Sequence, residues 1–133
     1  MAERIRGYAL LAQSAPASRA GEIEAARRAY LAALDRVWPL DDAAGVVAGE
    51  IMVLVPSPPT PPRRAHRLVE SRQDGLVRWR FDAIIAATAL VAKMPLIHNN
   101  AADFEAISSA IERTPARFPG LGPLALLRCD SVA

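Results

Sequence analysis

A chain of 133 residues suits one domain, expected here over residues 1–133, and is long enough to bury a core. With 52% hydrophobic and 23% charged residues it is not a disordered chain, and one cysteine, Cys129, rules out a disulfide framework or a thiol-rich zinc site. Sixteen basic against fourteen acidic residues leave a formal net charge of +2, too weak to name a nucleic-acid partner by itself.

In chain order, residues 2–13 carry Ile5, Tyr8, Ala9 and Ala12 at helical spacing, and the stretch Ser14–Ser18 interrupts them at Pro16. Helix is expected to resume from about Ser18 to Arg36, with Ile23, Ala26, Tyr30, Ala33 and Leu34 as its buried stripe. Val37-Trp38-Pro39-Leu40 reads as an edge strand, and Asp41 and Asp42 open a helix through about Leu54. Residues 56–62 (PSPPTPP) hold five prolines, which makes them a loop or stiff connector.

A polar, arginine-rich helix is expected from Arg63 to about Gln73. Gly75 permits a break before the strongest helix, from about Leu76 to Lys93. Pro95–His98 reads as a short strand turned by Asn99 and Asn100. One or two helical turns follow through Phe104, Ile107 and Ile111, and Leu124–Leu127 reads as a last strand. Helices alternating with brief apolar strands predict an α/β fold with a parallel sheet flanked by helices. No window reaches the roughly 18 uninterrupted apolar residues of a membrane span. Residues Met1–Arg6 lack the apolar core of a signal peptide, so a cytoplasmic location without a membrane partner is expected.

Three acids stand out. Asp82 opens a run, Ala83–Leu90, in which Thr88 is the one polar residue; Ala86 and Ala89 share its helical face and leave room beside its carboxylate. A first-turn acid held by the helix dipole is the plainer account. Asp103 follows the Pro95–His98 strand, where α/β sheets place ligands, or serves as the third residue of a helix capped by Asn100. Glu3 lies one turn before Gly7, beside open space or as an ordinary surface glutamate. If the three converged, they would suit a hard divalent cation such as magnesium, because clustered carboxylates otherwise repel and take up protons.

These blocks resemble the PIN-domain family, which includes the VapC-type toxin ribonucleases. Arg80–Ala89 (RFDAIIAATA) is similar to that family's D-x-x-I-A-A-x-A helix, and Pro95–Phe104 (PLIHNNAADF) to its L-x-T-x-N-x-x-D-F segment. Glu3–Gly7 (ERIRG) resembles its E-L-x-x-G helix start. The likeness covers essentially the whole chain, although Pro56–Arg78 is longer and richer in proline than usual.

The resemblance implies a three-layer fold in which Glu3, Asp82 and Asp103 are catalytic ligands of Mg²⁺ or Mn²⁺, with Asn100 supporting them. His98 stands where the family has Thr or Ser, and packing at the strand end is the simpler role for it. The family's opening strand, ending in Asp-Thr-Asn with a central metal-binding aspartate, has no counterpart here. The expected domain is therefore incomplete at its N-terminus.

A second feature is electrostatic. Arg63, Arg64, Arg67, Arg72, Arg78 and Arg80 stand against Glu70 and Asp74, as a strip for a phosphate backbone or as a solvated face. Asn100, Arg64, Arg67, Arg72 and Arg80 are the candidates for substrate contact, and Trp79 is a candidate base stacker or a core residue. The expected function is metal-dependent endoribonuclease, the toxin half of a toxin–antitoxin pair. RNA, a small antitoxin and a second copy of the chain are the expected partners. The alternatives are a catalytically incomplete PIN remnant that only binds RNA or protein, and an unrelated helical interaction domain.

Overall fold

The structure, a computed structural model, describes residues 2–34, 36, 38–62, 64, 65 and 68–129, and the side chains among these except those of residues 2–4 and 65. It divides into two compact units, Met1–Val37 and Trp38–Ala133.

In the first unit, α1 (Ala2–Ser14) packs with α2 (Ala17–Ala32). The break falls at Pro16, which has no N–H to give and sits before α2 with extended backbone. The rings of Tyr8 and Tyr30 meet at 6.1 Å between centroids. The stripe expected on the second helix is only half-buried at Ile23, Tyr30 and Leu34, and Ala26 and Ala33 are exposed. Two helices share a single contact face, which is too little surface to enclose a side chain.

The second unit begins differently from expectation. Trp38, Pro39 and Leu40 form no strand, and Trp38 and Leu40 are exposed; Val37 lies outside the described residues. Pro39 cannot donate to a ladder, and Asp41 is already committed as a helix cap, accepting the Ala44 N–H at 2.8 Å. From there α3 runs over Asp42–Leu54.

Among the described residues the arginine-rich helix expected from Arg63 is not there either. Arg64–Ala65 (β1) pairs antiparallel with Leu68–Val69 (β2). Pro61 and Pro62 hold the preceding chain extended, and no apolar stripe offers a helix here a face to bury. Gly75 makes no break: α4 spans Arg72–Val91 without interruption. Its start is fixed at Ser71, whose Oγ accepts the Asp74 N–H at 3.1 Å and donates to Asp74 Oδ2 at 2.6 Å. Its end is a Schellman turn. Lys93 adopts a left-handed φ of 54°, the Met94 N–H reaches the Ala89 carbonyl at 3.0 Å, and Pro95 follows.

The strand β3 (Leu96–His98) pairs in parallel with β4 (Leu126–Arg128), Ile97 opposite Leu127. Between them α5 runs over Ala101–Arg113, longer than the one or two turns expected, with Phe104, Ile107 and Ile111 buried on one face as their spacing predicts. The core joins Val47, Ala48 and Ile51 of α3 to Trp79, Ala83, Ala86, Ala87 and Leu90 of α4, with α5, Phe118 and Leu124 closing it. Ala86 therefore serves the helix packing rather than opening space beside Asp82. Among the described residues the fold is mixed α/β, with five helices, one short parallel pair of strands and one short antiparallel pair.

Candidate functional site

Asp82 and Asp103 come together just past the carboxyl end of β3, where the chain turns into α5. Asn100 decides how they meet. It occupies the N-cap position of α5, yet its side chain makes no capping bond. Its Nδ2 donates instead to Asp82 Oδ2 at 3.1 Å and to Asp103 Oδ2 at 2.6 Å. The simple capping account of Asn100 thus gives way to a bridge between two carboxylates.

Asp103 is fully buried, in the first turn of α5. Besides Asn100, it accepts Thr60 Oγ1 at 2.8 Å on Oδ1 and Arg78 Nη1 at 2.7 Å on Oδ2. Burial by itself would raise this carboxyl's pKa. The hydrogen bonds from Asn100, Thr60 and Arg78, with the charge of Arg78, outweigh it and hold Asp103 below the usual carboxylate range.

Arg78 is the cation of the cluster. It precedes Asp82 by one turn of α4, and its Nη1 lies 3.9 Å from Asp82 Oδ2. Its other edge grips Glu70, Nε to Oε1 at 3.1 Å and Nη2 to Oε2 at 3.3 Å. The hydrogen bond to Glu70, against desolvation and together with Asp103, pushes the Arg78 guanidinium above its ordinary value. The network stands between two depressions. One, about 490 Å³, is walled by the proline loop with Thr60, Glu70, Arg72 and Arg78. The other, about 350 Å³, takes in Asp82, Ile85, Ile97, His98 and Asn100.

His98 is packed against Phe104 at 5.2 Å between ring centroids, and its buried Nδ1 has no partner among the described residues. Trp79 is buried and gives its Nε1–H to the Val55 carbonyl at 2.8 Å, which removes it as a base-stacking platform. Of the arginines expected to meet substrate, Arg64, Arg72 and Arg80 are exposed, and Arg67 lies outside the described residues, as do Arg63 and His66. Arg78 leaves the strip, since it is turned inward to the acids. Glu3 belongs to α1 of the first unit, and its side chain lies outside the described residues.

Thr60, Glu70 and Arg78 are the site residues that sequence reasoning missed. The four-residue spacing from Arg78 to Asp82 was a usable signal. Nothing local marks Thr60, which reaches Asp103 across 43 positions.

Two carboxylates and an amide have the donor chemistry of a hard-cation site. The geometry does not fit a bridging ion, however. Both Oδ2 atoms face N–H groups, those of Asn100 and Arg78, in the space an ion linking these two atoms would take. Comparison with protein-family models, curated proteins and solved structures finds no match.

Proposed function

We propose that this chain is a PIN-like domain of the metal-dependent endoribonuclease type, acting in the arrangement described as an RNA- or protein-binding module rather than as a cleaving enzyme. The observation that supports the PIN-like reading is the meeting of Asp82 and Asp103 on Asn100, three residues singled out by their place in two separate sequence blocks. The hydrogen bond from Arg78 to Asp103 and its ion pair with Asp82 favour the non-cleaving form. RNA is the favoured ligand, drawn by the exposed Arg64, Arg72 and Arg80. A small antitoxin and a second copy of the chain are the protein partners this reading carries with it.

An active ribonuclease dependent on Mg²⁺ or Mn²⁺ is the second reading. It is favoured by the three carboxylates, Glu70, Asp82 and Asp103, that gather around the Arg78 guanidinium. One pair of measurements separates the two. Labelled single-stranded RNA is titrated with the chain at rising salt, and the same RNA is incubated with Mn²⁺, with and without EDTA. Salt-sensitive binding without cleavage is expected. EDTA-sensitive cleavage that Asp82→Asn abolishes would establish the active nuclease instead, and absence of both binding and cleavage would remove RNA as the ligand.

A further inference from the structure

The arrangement of charge around Arg78 carries a consequence for metal binding that is independent of any RNA. Arg78 is held from behind by Glu70, which takes both Nε and Nη2, so that Nη1 is the one corner of the fork aimed at the aspartates. That corner lies 2.7 Å from Asp103 Oδ2 and 3.9 Å from Asp82 Oδ2. Asn100 fills the rest of the gap with Nδ2, also turned to both Oδ2 atoms. Among the described residues, the two groups that face both Oδ2 atoms are therefore donors, and one of them bears a permanent positive charge.

We infer that Arg78 is a tethered counter-ion that excludes divalent cations from the Asp82–Asp103 pair, and that a metal can bridge these acids only when Arg78 is withdrawn. Three features support this. A bridging ion needs carboxylate oxygens at about 2.0–2.1 Å for magnesium, and the guanidinium corner already lies against Asp103 Oδ2. The Arg78 side chain is only 15% exposed, so solvent screens its repulsion of a second cation weakly. Three carboxylates, Glu70, Asp82 and Asp103, surround this one guanidinium. Removing it would take a positive charge from between these acids and raise their attraction for a cation.

Glu70 is on this account a positioning residue, acting through Arg78. Gly75 packs beside its carboxylate, where an added Cβ would meet Oε2 at 3.6 Å, an ordinary contact that still leaves the glutamate in place.

A neighbouring guanidinium changes a carboxylate's proton affinity by about one to three pKa units, so the same charge should weaken divalent binding by about tenfold or more. The test is Mn²⁺ binding to the full chain at neutral pH, read by the electron paramagnetic resonance signal of free Mn²⁺. The wild type should bind weakly, and Arg78→Gln should bind about tenfold or more tightly, with the gain lost when Asp82→Asn is added. Circular dichroism shows whether Arg78→Gln folds. If it does not, Glu70→Gln, which keeps the guanidinium and loosens its anchor, supplies the answer through a smaller gain in affinity. Wild-type affinity equal to that of the folded Arg78→Gln chain, or an unchanged affinity in Glu70→Gln where that variant is needed, would overturn the inference. RNA cleavage is not the readout, so failure here and failure of the nuclease reading are separate results.

Discussion

Arg78 Nη1 stands 2.7 Å from Asp103 Oδ2, and that contact joins the middle of α4 to the first turn of α5 through a carboxylate with no exposed surface. Removing one member of a buried ion pair strands the other and costs about 3–5 kcal/mol. Glu70 still neutralises Arg78, so Asp103→Ala should fall near the lower end, about 3 kcal/mol. Asp82 is 3.9 Å from the guanidinium, beyond hydrogen-bond reach, and asparagine keeps an oxygen for Asn100 Nδ2, so Asp82→Asn should cost about 1 kcal/mol or less. Urea unfolding followed by fluorescence, to which the buried Trp79 contributes, measures both. Equal losses would mean that the Asp103 bonds add nothing beyond those of Asp82.

The same carboxylate sets an acid limit. Its folded pKa is lowered, so its contribution is fully present above the unfolded value of about 3.9 and is lost as pH falls through the folded value. Stability should therefore be flat with respect to this group between pH 5 and 7 and fall below about pH 4. Asp103→Asn, which cannot titrate, should start less stable at pH 7 and lose less on going to pH 3. A variant curve parallel to wild type across that interval would assign the acid loss to other groups.

How much of this was readable in advance depends on how local each cause is. The start of α3 is legible in Asp41, which bonds its own first turn; the start of α4 is placed too late by the sequence reading, at about Leu76, although Ser71 bonding Asp74 is the same short-range chemistry. The α5 face, Phe104, Ile107 and Ile111, is likewise visible as spacing. The pair β1–β2 is not, because strands of two residues with Leu68 and Val69 exposed have no periodicity to detect. Asp82, Asn100 and Asp103 could be picked out as a group. Two of the groups around them could not, since Thr60, which donates to Asp103, and Glu70, which holds Arg78, reach the site only through the tertiary fold. Small residues beside Asp82 also misled: Ala86 reads as space for a ligand and is core.

Lys93 offers a direct test of local strain. It holds the left-handed position of the turn that ends α4, where a residue with a Cβ is disfavoured by about 1–2 kcal/mol. Lys93→Gly should stabilise the chain, by about 0.5–1 kcal/mol once the extra freedom glycine brings to the unfolded state is subtracted. The rise in urea midpoint is the measurement. A fall would indicate that the Lys93 side chain makes a compensating contact.

Trp79 separates packing from recognition. It is 1% exposed in the contact between α3 and α4, and its Nε1–H satisfies the Val55 carbonyl at the end of α3. Phenylalanine fills most of the same space but has no donor, so Trp79→Phe leaves that carbonyl without its bond and opens a small void. The unsatisfied group costs about 1–3 kcal/mol and the void adds to it, for an expected loss of about 2 kcal/mol or more. Circular dichroism at rising urea gives this value without needing the missing indole as a probe. RNA affinity under native conditions should not change, because a ring enclosed by Ile51, Ala83 and their neighbours has no face to offer a base. Stability lost with affinity intact would fix Trp79 as a strut between the helices. Affinity lost with stability intact would mean that the indole reaches solvent when RNA binds, and the buried position would then describe only the free chain.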